Sequence, residues 1–329
     1  MFEITLKNNK IFRCEENSTI YEAAKLNGIG LEHSCLKARC RSCVVNVVKG
    51  KTKDRFDDFV LSAEEKKQNI TLSCNAIPIS DITIDVEDLG NVILYDKKIV
   101  PAKINLIEKI TKDIIKVVFR LPPNSNFKFN SGQYVNLIKD GVSRSYSISN
   151  NSISNNQLEF FIKNYKNGLM SKYWFEEAKL NHLLRIEGPL GSFFLRDTVK
   201  KNIVFLATGT GIAPVKSILE NIKLYHNKYL DKTFWLFVGA RYKKDLFWNP
   251  ESLDIQNLKY IKVLSQETEN FLGFKGYVQD AVISKKIDLA DSQVYACGSN
   301  MMIQSAKKVF IENFLEENNF FSDAFVQTN

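Results

Sequence analysis

The sequence predicts three folds in a row: an α+β domain of β-grasp type, an antiparallel β-barrel, and a doubly wound parallel α/β domain. Three observations predict them. Residues 1–90 mix short strands with one clear helix. Six short β runs with turn signals between them follow, which suits a barrel. From Asn202 onward strands alternate with helices, which implies a parallel sheet with helices on its faces. A chain of 329 residues has room for two or three domains. The expected bounds are 1–90, a linker over 91–101, then 102–198 and 199–329.

In the first segment FEITLK and KIFRCE read as strands joined by a polar turn at Asn8 and Asn9. Ser18 is placed to cap the helix TIYEAAKLNG, and Gly28 to end it. VVNVVKG is a further strand, Ser62 and Glu65 have capping-box spacing, and DITIDV closes the segment. In the second, KINLIEKI, IIKVVFRL, QYVNLIK, RSYSIS, LEFFIKN and LLRIEGP are the six β runs, and LMSKYWFEEA is a helix among them. In the third, IVFLAT, FWLFVGA, YIKVLS and QVYACG are the strands, with helices at PVKSILENIKLYH and NMMIQSAKKVFIENF.

Four of the six cysteines carry the most specific signal. Cys35, Cys40 and Cys43 have four and two residues between them, and Cys74 follows thirty residues later. This is the spacing of a plant-type [2Fe–2S] cluster, held by four thiolates. The competing readings are buried structural cysteines and a zinc site. Structural zinc usually pairs its ligands as two close couples, which this triplet does not. A [2Fe–2S] cluster handles one electron at a time. The remaining Cys14 reads as packing, and His33 beside the loop as a surface or packing residue.

The net charge is +8, yet residues 1–90 hold 13 basic and 14 acidic side chains. The excess of positive charge therefore lies away from the cysteines. No dense run of Lys and Arg and no recognition motif points to nucleic acid, so anionic cofactors are the expected partners of that charge. No apolar run reaches eighteen residues and the start is not a signal peptide. The expectation is a cytoplasmic protein without membrane insertion, in a compartment that keeps thiols reduced.

The third segment contains Gly209-Thr210-Gly211, with Pro214 expected to start a helix. Glycines let a phosphate approach the backbone, and a helix N-terminus offers free N–H groups. The same turn can be tight packing, since it lacks the full dinucleotide fingerprint. Cys297 and Gly298 end the last apolar strand, where ligands of open α/β sheets bind. Cys297 can face a nicotinamide ring there, or be a small buried residue. In the second segment Arg144, Ser145, Tyr146 and Ser147 can bind a phosphate and stack on a flat ring. Gly168, Leu169, Met170 and Ser171 follow Asn167 as a second candidate phosphate cradle. Two cradles suit two dinucleotides. Arg241, after FWLFVGA, can accept a 2′-phosphate. No Ser/His/Asp arrangement or paired-carboxylate motif stands out.

Taken together, CLKARCRSC…C, RSYS, NGLMS, GTGIAP and YACGS resemble the ferredoxin-type NADH reductases of the ferredoxin–NADP reductase superfamily, in that family's order and across the whole chain. LEHSC, VPAKI, LRIEGPLGSFFLR, TGIAPVKS, VYACGS and FFSDAFV are similar to the branch that serves C-3 deoxygenation in 3,6-dideoxyhexose synthesis. The resemblance implies an electron path from NADH to FAD to [2Fe–2S] to a partner. In that branch the partner is a pyridoxamine-phosphate-dependent iron–sulfur dehydrase. It further implies that Arg144 contacts the FAD diphosphate, Tyr146 and Ser147 the isoalloxazine, and Gly168 to Ser171 the diphosphate. Gly209 to Gly211 are to face the NADH diphosphate, Cys297 and Gly298 the nicotinamide, and Phe325 the flavin. The alternatives are a reductase for an aromatic-ring or hydrocarbon oxygenase, and an iron–sulfur sensor without enzymatic activity.

The family's common loop, C-x-x-G-x-C-G-x-C, has glycines where this chain has Ala38 and Arg41. Glycine lets such a loop turn, so strain is expected at both positions. Lys37, Arg39 and Arg41 are expected to point outward, toward an acidic surface on the partner.

Overall fold

The structure, a computed structural model, describes residues 1–90, 92–153, 156–267 and 271–325. Asn91 of the expected linker, and Val326 with the rest of the C-terminal end, lie outside the described residues. The chain forms two compact units, one within Met1–Leu94 and one over Tyr95–Phe325.

The first unit holds β1 (Phe2–Leu6), β2 (Ile11–Cys14), α1 (Ile20–Leu26), β3 (Val44–Lys49), β4 (Thr52–Asp54), α2 (Ala63–Lys67), β5 (Ile70–Leu72), β6 (Ala76–Pro78) and β7 (Ile82–Ile84). The main sheet runs β2-β1-β7-β3-β5, and β4 pairs with β6. Strands β1 and β7 are parallel; the other pairs of that sheet are antiparallel. The buried face of α1 (Ile20, Ala23, Ala24) packs on Ile4, Leu6, Phe12, Val45, Ile82 and Ile84. That is a β-grasp. The N-cap of α1 is Thr19, not Ser18: Thr19 and Glu22 form a reciprocal capping box, which Ser18 lies one residue too early to make. The expected box of Ser62 with Glu65 is present at α2.

The second unit begins with β8 (Lys98–Lys109), β9 (Ile114–Arg120), β10 (Tyr134–Lys139), β11 (Val142–Ser147), β12 (Gln157–Lys163), α3 (Leu169–Lys172) and β13 (Leu183–Leu190). These strands form one antiparallel sheet, β11-β10-β13-β8-β9-β12. Its edges curl together: the Ser149 N–H, just past β11, donates to the Glu159 carbonyl in β12 at 2.8 Å. Phe119, Phe160, Trp174 and Ile186 are among the side chains that fill the interior. Strand β8 starts at Lys98, inside the stretch expected to be linker, because Lys98 to Val100 pair with Ile186 to Gly188 of β13.

The unit continues with β14 (Asn202–Thr208), α4 (Ile212–Leu224), β15 (Thr233–Ala240), β16 (Leu258–Leu264), β17 (Phe274–Lys275), α5 (Val278–Ser284), β18 (Ser292–Gly298), α6 (Asn300–Glu312) and β19 (Phe320–Ala324). The sheet β17-β16-β15-β14-β18-β19 is parallel throughout. Strand order reverses beside β14: β15 lies on one side and β18 on the other. Such a switch point opens a crevice at the carboxyl ends of the strands. Helices sit on both faces, α4 on one and α5 with α6 on the other.

Candidate functional site

The four cysteines gather two by two. Cys43 Sγ lies 3.2 Å from Cys74 Sγ. Cys40 Sγ accepts from the Cys35 backbone N–H at 3.3 Å. Among the described residues no three of His, Cys, Asp and Glu converge on a point suited to one metal ion. Two thiol pairs, Cys35 with Cys40 and Cys43 with Cys74, suit two irons, two ligands each. Cys40, Cys43 and Cys74 are buried and Cys35 is half-buried. The Cys35 thiol is pulled down to about 6, first by its hydrogen bond with Cys40, against burial, and then by the N–H groups of Lys37 and Arg39. Those N–H groups reach Cys35 Sγ at 3.4 and 3.3 Å. A loop that points N–H dipoles at sulfur favours thiolate, the ligand form.

The loop turns by left-handed backbone at Leu36, Ala38 and Arg41, with φ of 52, 51 and 65°. For residues with a Cβ this conformation costs about 1–2 kcal/mol each. The glycine positions of the resembling family are thus strained here, as expected. Arg41 corrects the expected picture of three outward cations. Its guanidinium turns back onto the Glu65 carboxylate and the Val60 carbonyl. The hydrogen bond from Arg41 is the main reason that the Glu65 carboxyl falls to about 2. Lys37 and Arg39 remain exposed.

In the barrel, alternation along β11 puts Arg144 and Tyr146 on one face, Ser145 and Ser147 on the other. Tyr146 accepts from the Trp174 indole N–H at 3.0 Å and meets its ring edge-on. Burial raises its phenol to about 12, so it stays protonated over the working range. Arg144 is half-buried, and its guanidinium donates to the neighbouring Ser143 carbonyl. Ser145 donates to Asn136 Oδ1 at 2.8 Å, and Ser147 is buried. Gly168 caps α3, and the Ser171 hydroxyl accepts from the Tyr165 N–H at 2.9 Å to hold that turn. Met170 belongs to the barrel core while Leu169 is exposed. The first-turn N–H groups of α3 have no partner within the helix.

The glycine turn resolves into different jobs. Gly209 has φ +55° and open space where a Cβ would stand, which suits the approach of a phosphate. Gly211 is packing: a Cβ there would lie 2.3 Å from the Cys297 carbonyl oxygen. Gly298 is similar, at φ +152°, and a Cβ there would lie 2.1 Å from Thr208 Oγ1. Thr210 is buried between the two glycines. Helix α4 starts at Ile212, so Pro214 falls inside its first turn rather than at its start. Arg241 is exposed just past β15, and its carbonyl accepts from the Gln266 N–H.

Cys297 has no exposed surface, and burial pushes its thiol well above the usual range. Contact with a nicotinamide therefore needs a neighbour to move. Strand β19 brings that neighbour close. It pairs Cys297 with Asp323, and the Phe325 N–H donates to the Gly298 carbonyl at 3.1 Å. Phe325, Cys297 and Gly298 thus meet at the carboxyl end of β18. Sequence reasoning missed the wall of the cleft beside Gly209, built by Val238, Gly239, Leu246 and Trp248. The aromatic pair Phe247-Trp248 after a basic turn was the available signal. Another cavity of the unit lies elsewhere, among Leu195, Thr198, Ile203 and Tyr229, near the amino end of β14.

Residues 4–78 match the 2Fe-2S iron-sulfur cluster binding domain, residues 101–195 the oxidoreductase FAD-binding domain, and residues 205–308 the oxidoreductase NAD-binding domain. Fold and domains together define an NAD(P)H-dependent oxidoreductase with [2Fe–2S] and FAD, whose electron chain runs from NADH through FAD to the cluster. The chain belongs to the ferredoxin-type FAD and NAD reductase family, in the branch of the CDP-6-deoxyhexulose-3-dehydrase reductases. It is 38% identical over 317 residues to CDP-6-deoxy-L-threo-D-glycero-4-hexulose-3-dehydrase reductase of Yersinia pestis, covering 96% of this chain and 95% of that protein. It is 35% identical to Protein RfbI of Salmonella typhimurium over 98% and 96% of the two chains. In fold it is similar to the Amycolatopsis cytochrome P450 reductase GcoB, with a TM-score of 0.74, 23% identity and 99% of each chain covered. Among the described residues no helix is long and apolar enough to cross a membrane.

Proposed function

We propose that this chain delivers single electrons to an iron–sulfur dehydrase that deoxygenates C-3 of a CDP-linked hexulose. The observation that carries the acceptor is the end-to-end similarity to a dehydrase reductase. A flavin supplies the conversion of a hydride's two electrons into single ones, and a [2Fe–2S] cluster holds one electron at a time. The chain's own residues position these groups. Cys35 with Cys40, and Cys43 with Cys74, hold one iron per pair. Arg144 and the first-turn N–H groups of Leu169 to Ser171, presented by the cap at Gly168, bind the FAD diphosphate. Tyr146 presents its ring to the isoalloxazine from a position fixed by Trp174, with Ser147 beside it. Gly209 and the start of α4 take the NADH diphosphate. Phe325 covers Cys297 and Gly298 until the nicotinamide enters. The hydride step itself requires no side-chain base, because it releases no proton; the hydride's proton would be released only as the two electrons pass on to the cluster.

Electrons leave near Cys35, the least buried ligand, where Lys37 and Arg39 are exposed. Rim cations act mainly on association rate and are screened by salt. Lys37→Glu with Arg39→Glu is expected to slow delivery to the dehydrase several-fold at low salt, with the gap closing at high salt. The functional test is NADH oxidation with purified dehydrase and CDP-hexulose, set beside an oxygenase component as acceptor. Turnover with the dehydrase alone is expected. Turnover with the oxygenase alone would reject the assignment.

A further inference from the structure

Helix α4 carries a buried charged cluster that the electron path does not use. Lys216 is only 9% exposed. Its ammonium donates to the Ser149 carbonyl at 3.0 Å, to Glu159 Oε1 at 2.9 Å and to Glu220 Oε1 at 2.5 Å. Three protons meet three acceptors, so the charge is fully satisfied. The next residue, Ser217, donates to the Asn150 carbonyl at 2.6 Å. Glu220 accepts from the Asn151 backbone N–H at 2.9 Å. Three residues of one helix therefore grip three consecutive residues, Ser149 to Asn151, of the barrel.

Position makes the grip informative. Ser149 lies two residues past Ser147, at the end of the strand assigned to the flavin. Lys216 lies five residues past Gly211, on the helix that begins at the nucleotide turn. The barrel side is itself braced: Ser149 Oγ donates to Glu159 Oε1 at 2.8 Å, and the Glu159 N–H donates to Asn150 Oδ1 at 2.8 Å. A buried ion cluster adds little stability over an apolar contact of the same size, but it tolerates few relative orientations. Apolar packing alone would hold the lobes together and let them slide.

We propose that Lys216, with Ser217 and Glu220, is a positioning strap that sets the nicotinamide-to-flavin geometry by locking α4 to the end of β11. This rests on the reading that these two elements hold NADH and FAD. The strap does not touch the reacting atoms. Its effect should appear in the hydride step and not in cofactor binding.

The experiment compares Lys216→Met, Lys216→Arg and Ser217→Ala with the parent in anaerobic stopped-flow. It uses NADH and each of its C4-deuterated diastereomers. Lys216→Met is expected to lower the limiting rate of flavin reduction at least ~10-fold, and Ser217→Ala about threefold. FAD content and the Kd for NADH should stay within twofold of the parent. The isotope effect should become more temperature-dependent in both variants, which a loss of stability alone does not produce. Lys216→Arg should recover part of the rate. Ser217→Ala removes one crossing hydrogen bond and no charge, so it carries the test if Lys216→Met does not fold. In the flavin-free protein, backbone hydrogen exchange at 149–151 should quicken in Ser217→Ala. Parent-like rates and isotope effects in FAD-loaded Ser217→Ala and Lys216→Arg, with Lys216→Met also parent-like or unfolded, would overturn the strap. If Gly209→Ala leaves NADH binding unchanged, the nucleotide assignment itself has failed, separately from the strap.

Discussion

The cysteine loop and the glycine turn, each proposed above to hold a ligand, make a tight bend in opposite ways. The turn at 209–211 uses glycine twice: once for a left-handed φ with open space, once because backbone lies 2.3 Å from any Cβ. The cysteine loop bends left-handed three times without a glycine. It can do so because its ligand is held by side chains. The thiols do the holding, and Ala38 packs with Cys43, Leu61, Leu72 and Cys74, so the penalty at these positions is that of the backbone conformation. Arg41 offsets part of it by pinning the loop to Glu65 and Val60. A phosphate held by backbone N–H groups offers no such freedom, since any side chain competes for the same space. Backbone cradles are therefore intolerant of substitution, and side-chain ligand sets are tolerant everywhere except at the ligands.

Six substitutions break or sharpen that contrast, from the largest effect to the smallest. Cys40→Ser removes a ligand. It should abolish the visible and paramagnetic signature of the cluster and reduce delivery to the dehydrase to background, while NADH oxidation by ferricyanide persists. Gly211→Ala forces a methyl into the Cys297 carbonyl. Overpacking costs about 1–3 kcal/mol, and a lowered thermal midpoint with impaired NADH oxidation is expected. Gly209→Ala instead pays only about 1–2 kcal/mol for its φ; its main effect should be a Kd for NADH raised ~10-fold or more, read by titration. Arg144→Ala loses a charge-assisted hydrogen bond worth roughly 1.5–3 kcal/mol, so FAD affinity should drop ~10- to 100-fold by equilibrium dialysis. Ala38→Gly is the mildest. It should relieve strain of about 1 kcal/mol and lengthen the half-life of the cluster in air. Arg41→Gly should shorten it, because the anchor to Glu65 goes with the strain.

The features legible in the sequence are those written in local pattern. Cysteine spacing singled out the four candidate ligands without any fold, and short β runs between turn signals located the barrel strands. Alternating apolar strands and helices marked the parallel sheet. What escaped was set by distant partners. Nothing near Arg41 in sequence announces Glu65, so its inward turn could not be read. FFSDA is absent from the strands expected of the third segment, yet it becomes β19 because the edge of β18 is there to pair with it. Nothing beside Lys216 in sequence marks it as buried; two of its three acceptors lie 57 and 67 residues earlier in the chain. Gly211 lies in a turn that reads either as a phosphate cradle or as tight packing, and the neighbouring strand shows that it is a packing glycine.

The most direct test of the electron path is an anaerobic reduction by NADH, followed by the paramagnetic signal of the cluster. The same protein is measured with FAD bound, after FAD is stripped, and after FAD is restored. NADH should reduce the cluster in the loaded protein, leave it oxidised in the stripped protein although dithionite still reduces it, and reduce it again once FAD returns. Reduction of the cluster by NADH at the same rate without FAD would contradict the path.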